Sequence, residues 1–164
     1  MRLASAGLAL AVLLTASAGP AAAQQLLYAG TWWAAFERQG GVCEAVARSE
    51  LVSPPGRPQP RAAFAFTRDG KRRGELHLLF ARPVRNGAAA VLSVGGEEFL
   101  LLTRGTGAWS RGPRQEAAII AAIRRSGEMR VRAQGQGGRI SDRYLLAGAP
   151  TAIDAAALGC ASTA

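Results

Sequence analysis

The 164-residue sequence predicts a mainly β domain, an antiparallel β-sandwich or curled sheet carrying two short helices in its C-terminal half. Three observations lead there. Short runs of alternating apolar and polar residues recur between Arg61 and Arg104 and again between Glu128 and Leu146, the pattern of strands with one buried face. Glycine-rich turns separate those runs, Gly95-Gly96 and Gly135 to Gly138 among them. Two further stretches open on Pro113 and Pro150, and proline is favoured at the first position of a helix, where its missing N–H costs nothing.

Residues 1–23 read as a signal peptide: Arg2, the apolar run Leu8 to Leu14, then Ala21-Ala-Ala23 ahead of Gln24. The run is shorter than the roughly 20 apolar residues that cross a bilayer, which disfavours an uncleaved anchor. No transmembrane segment is expected after cleavage, and residues 24–164 are expected to form one domain. Export leads to an oxidising compartment, the periplasm or the secreted and outer-surface fraction. The only two cysteines, Cys43 and Cys160, are there expected to pair rather than remain buried thiols. The loop so closed exceeds a hundred residues, for which chain entropy gives roughly 4–5 kcal/mol.

The domain begins with Leu26 to Phe36, a first strand whose Trp32, Trp33 and Phe36 divide between core and rim. Core packing is favoured over sugar stacking for this cluster. A turn at Gln39-Gly-Gly41 leads to a second strand, Val42 to Arg48, with Cys43, Ala45 and Ala47 on one face, and Ser49 to Pro60 is a proline-rich surface loop. In the meander that follows, Phe64 and Phe66 share a face of 61–68, and Leu76, Leu78 and Phe80 share the buried face of 75–82. The strands 88–94 and 97–104 are joined by Gly95-Gly96, a pair suited to a type I′ hairpin turn.

Residues 105–112 are expected as a loop carrying Trp109. A helix over 114–125 buries Ile119 and Ile123, with Ile120 beside them and Glu116 placed to suit the helix dipole. The hairpin 128–133 and 139–146 turns Met129, Val131 and Ala133 inward and Arg130 and Arg132 outward, and a helix from Pro150 to Gly159 closes the chain.

The inventory for catalysis is thin. The one histidine, His77, lies on the outer face of its strand. A Ser93, His77 and Asp142 set can be assembled only on paper, because no motif surrounds those residues. No zinc, EF-hand or phosphate-loop spacing occurs and no acid pair suits a glycosidase, so neither metal nor cofactor is expected, and the domain reads as a non-enzyme. The alternative to a binding protein is an envelope structural or stress protein with no specific ligand, and a small hydrolase built on His77 is a third reading behind it.

The net charge of +9 comes almost wholly from arginine, with Lys71 the sole lysine. The candidate anion-binding residues are Arg130, Arg132, Arg139 and Arg143 of the last hairpin, because arginine forks bind phosphate and sulfate bidentately. Lys71, Arg72 and Arg73 form a second basic cluster. The competing reading is a solvated basic face, partly neutralised by Asp142 and Glu128. An anionic envelope glycolipid, a host glycan or a host protein is the expected partner class, without nucleic acid, and the domain is expected as a monomer.

The closing residues carry a resemblance. An exported leader, Trp33 followed by Cys43 in Val-Cys-Glu-Ala, a sheet of short strands, and Leu146-Ala-Gly-Ala-Pro-Thr-Ala-Ile-Asp-Ala155 ahead of Cys160 resemble the invasion-associated locus B family of small exported alphaproteobacterial proteins. Ala149-Pro150 stands where the family commonly has an aromatic. The region 104–113 lacks the further cysteine pair that many members carry. The resemblance implies a β-rich periplasmic or surface-associated protein with no assigned catalytic residues.

Overall fold

A computed structural model describes residues 24–161; the expected signal peptide lies outside them. Ten strands and two helices follow in the order β1 (Gln25–Ala29), β2 (Trp33–Arg38), β3 (Val42–Arg48), β4 (Arg61–Thr67), β5 (Arg73–Leu79), β6 (Ala90–Val94), β7 (Glu97–Arg104), β8 (Gly107–Trp109), α1 (Pro113–Ile123), β9 (Glu128–Gly135), β10 (Gly138–Leu145) and α2 (Ala149–Gly159). All strands belong to one antiparallel sheet in the order β1-β2-β3-β4-β5-β8-β7-β6-β9-β10. The domain is therefore a curled sheet rather than a sandwich of two.

The sheet wraps around its core without closing. Trp33, at the start of β2, donates its indole N–H to the Leu145 carbonyl of β10 at 2.8 Å. Just beyond β3, the Glu50 N–H reaches the Arg143 carbonyl, also at 2.8 Å. These bonds join elements from opposite ends of the strand order. The enclosed face carries Trp33, Phe64, Leu76, Leu78, Leu92, Leu101, Met129, Val131 and Tyr144, all at most 1% exposed. Both helices pack on this enclosed side, α2 against β1, β2 and β3 and α1 mainly against β5. The other face is convex and open.

Two expectations are corrected. The first strand is two: Gly30, whose N–H bonds to the Trp33 carbonyl at 2.9 Å, turns the chain so that β1 folds back on β2. Tyr28 comes within contact distance of Gly30, which leaves no room there for a side chain. The loop at 105–112 contains β8, a three-residue strand that bridges β5 to β7. It is too short to show a period, and only its partners on both sides make it a strand.

Elsewhere the expected elements stand. The Gly95-Gly96 turn pairs Val94 with Glu97, with positive φ at both glycines, as a type I′ turn requires. Helix α1 opens at Pro113 and buries Ile119 and Ile123. Helix α2 follows Gly148, which sits in the left-handed region at φ 85°. The Cys43–Cys160 disulfide is formed across 117 positions of sequence. Among the described residues no helix is long and apolar enough to cross a membrane.

Candidate anion-binding site

The β9–β10 register sets Arg143 opposite Arg130, Ser141 opposite Arg132, and Arg139 opposite Gln134. In an antiparallel pair, directly opposed residues share a face, so the four candidate arginines all emerge on the convex side. Their charges are not equally available. Arg130 Nε donates to Glu128 Oε1 at 2.9 Å, and Arg143 Nε donates to Glu128 Oε2 at 2.7 Å. Arg143 Nη1 also reaches Glu50 Oε2 at 2.8 Å, and Arg132 Nη2 reaches Glu98 Oε1 at 3.0 Å. The bond from Arg130, and then that from Arg143, holds the Glu128 carboxyl below the usual range. Three of the four arginines are thus neutralised. Glu128 was the expected partner; Glu50 and Glu98 come from distant sequence and only the curled sheet delivers them.

Arg139 differs. Its guanidinium makes no ion pair or side-chain hydrogen bond among the described residues, and it lines an open cavity of about 300 Å³ with Arg57 and Arg82. Arg82 is oriented by the main chain of the β9–β10 turn: Nη1 donates to the Gly137 carbonyl at 3.3 Å and Nη2 to the Arg139 carbonyl. The opposite wall is the 49–60 loop. Gln59 braces this loop, donating to the Ser49 and Leu51 carbonyls at 3.1 and 3.0 Å and accepting the Ser53 N–H at 2.9 Å. That bracing presents Leu51 and Val52 to solvent, 68% and 87% exposed, beside the arginines. A proline-rich segment reads as a loop from sequence, and nothing in it shows that one glutamine amide would make it a wall.

Asp142 belongs to the cavity and not to the basic face. It alternates inward with Ile140 and Tyr144, so it does not neutralise the outward arginines as the sequence reading expected. Its Oδ2 is buried without a hydrogen-bond partner among the described residues, and burial raises its carboxyl to about 6, with the charge of Arg82 opposing. Tyr144 likewise buries its hydroxyl without a partner among the described residues, and burial pushes its ionisation up.

The second basic cluster is also occupied. Lys71 pairs with Asp69 at 3.1 Å and Arg72 with Glu75 at 3.5 Å, while Arg73 Nε donates to the Gly70 carbonyl at 3.0 Å. The Thr67 hydroxyl and the Lys71 main chain hold Asp69 at about 2.

His77 is half-buried on the convex face, its ring stacked on the Trp109 indole at 4.8 Å and 6°. Burial lowers its proton affinity, and Arg61 adds to the shift. Ser93 lies on β6, three places along the sheet, and bonds Glu98, while Asp142 points to the other face. The three residues of the paper triad are not brought together. Among the described residues no group of His, Cys, Asp or Glu is arranged to hold a metal. No family model, curated protein or solved structure matches the chain.

Proposed function

We propose that this is an exported, non-enzymatic envelope protein of the kind its closing residues resemble, and that it binds an anionic envelope glycolipid or a comparable host-surface component. The observation that carries the reading is the trio Arg57, Arg82 and Arg139 around one open cavity, which Asp142 also lines, with no carboxylate bonded to any of the three among the described residues. Leu51 and Val52 add an apolar wall, so a ligand with an anionic head and a hydrocarbon portion matches both surfaces. The disulfide supports an oxidising location. The reading invokes no cofactor.

Retention on lipopolysaccharide or heparin matrices tests it. Arg57→Glu/Arg139→Glu is expected to elute at distinctly lower salt than Arg130→Glu/Arg132→Glu, although the two double variants change net charge equally. Equal elution would leave a basic surface that only keeps the domain soluble, consistent with an envelope structural or stress protein without a specific ligand.

A further inference from the structure

The convex face carries a second, separate feature. Strand registers align Leu102, Trp109, His77, Ala63, Val46 and Ala34 in one row across β7, β8, β5, β4, β3 and β2. Beside it, Arg104, Gly107, Leu79, Arg61 and Arg48 form the next row. Neither helix packs on this side. Leu102 is 53% exposed and Leu100, one step along β7, 45%. The Trp109 indole is folded over Gly107, where a Cβ would sit 2.3 Å from the ring, and is held against His77.

The charges bordering this band are unbalanced. Arg48, Arg61 and Arg104 are exposed and have no ion pair or side-chain hydrogen bond among the described residues. The acids on the opposite border, Glu44 and Glu75, are already paired with Arg38 at 2.6 Å and Arg72 at 3.5 Å. The face therefore presents exposed leucines, a fixed surface tryptophan and three uncompensated cations. It is convex, and the cavity at Arg139 opens elsewhere, so it offers no cleft for a peptide side chain.

We propose that this face docks on an anionic lipid leaflet, the leucines and Trp109 entering the headgroup boundary and Arg48, Arg61 and Arg104 meeting lipid phosphates. A contiguous exposed apolar patch marks an interaction surface. Tryptophan favours the membrane interface, and each arginine near an anionic surface adds to the attraction. The inference deepens the envelope reading by naming a lipid surface, yet uses none of the residues of the Arg139 cavity.

Co-sedimentation of the mature chain with vesicles decides it, using phosphatidylglycerol mixed with phosphatidylcholine against phosphatidylcholine alone. The protein is expected to bind only the anionic vesicles. Leu100→Ser/Leu102→Ser and Arg48→Glu/Arg61→Glu should each weaken that binding about tenfold or more, whereas Arg130→Glu/Arg132→Glu, which changes the net charge as much as the second of these but at arginines already paired with Glu128 and Glu98, leaves it within about twofold. All four substituted positions on this face are exposed, and unchanged melting temperatures would confirm that the variants fold. Absence of vesicle binding, equal binding to neutral vesicles, or an equal loss in the Arg130/Arg132 variant would overturn the proposal. A dimer that dissociates on Leu100→Ser/Leu102→Ser, without vesicle binding, would assign the face to a second copy instead. Vesicle binding lost in Leu100→Ser/Leu102→Ser while heparin retention stays that of the unsubstituted protein would keep the two sites distinct.

Discussion

Asp142 buries its Oδ2 inside the curled sheet with no hydrogen-bond partner among the described residues. Its carboxyl, ordinarily near 3.8, stands at about 6 because burial disfavours the ionised form and Arg82 offsets only part of that penalty. Between those two values the native protein keeps the Asp142 proton while the unfolded chain gives it up. Stability from this group is therefore full below about pH 4, falls as pH rises through 6, and stays lower above. The full shift would correspond to nearly 3 kcal/mol, and solvent reaching the carboxyl reduces this to about 1–2 kcal/mol. Urea denaturation is expected to show that slope between pH 4 and 6, and Asp142→Asn should abolish it. A slope unchanged in Asp142→Asn would place the titration elsewhere. The same local reasoning separates the arginines: composition counts them alike, but Glu50, Glu98 and Glu128 neutralise three in the hairpin and leave Arg139.

Single elements are joined by a polar chain through Ser110, the residue that follows β8. The Leu76 N–H of β5 donates to Ser110 Oγ at 3.1 Å, and the Ser110 hydroxyl donates to Glu116 Oε1 of α1 at 3.0 Å. Ser110 and Glu116 are 7% and 6% exposed. The sequence assigned Glu116 to the helix dipole, a role of surface residues; burial makes it instead the terminus that docks α1 on the sheet. Ser110→Ala leaves a buried N–H and a buried carboxylate each short of a partner, an expected loss of about 2–3 kcal/mol. Chemical denaturation measures it, and a loss below about 0.5 kcal/mol would show that other groups satisfy both. The Gly95-Gly96 hairpin was legible because turn chemistry and register are local. The β1–β2 hairpin was not, because Gly30 lies inside a mostly apolar stretch from Leu26 to Phe36 whose reversal only the packing of Tyr28 and Trp33 reveals.

For the whole molecule the disulfide is the principal cross-link. It ties β3 to the end of α2 and closes a loop holding the strands from β4 to β10 and both helices, with β1 and β2 outside it. Cys160→Ser is expected to lower unfolding free energy by about 4 kcal/mol, as loop entropy over such a span implies, and equal stability of wild type and variant in denaturant would show that the curled sheet holds without it. The sequence by itself determined the fold class, most strand limits, both helices and the cysteine pair. Alternation, turn glycines and helix-opening prolines are properties of neighbouring residues, and two cysteines allow one pairing. Only the tertiary structure decided that the sheet curls until Trp33 and Glu50 meet β10, and hence which arginines find acids and which surround a cavity. Those outcomes depend on distances between strands far apart in sequence, and periodicity along the chain carries no record of them.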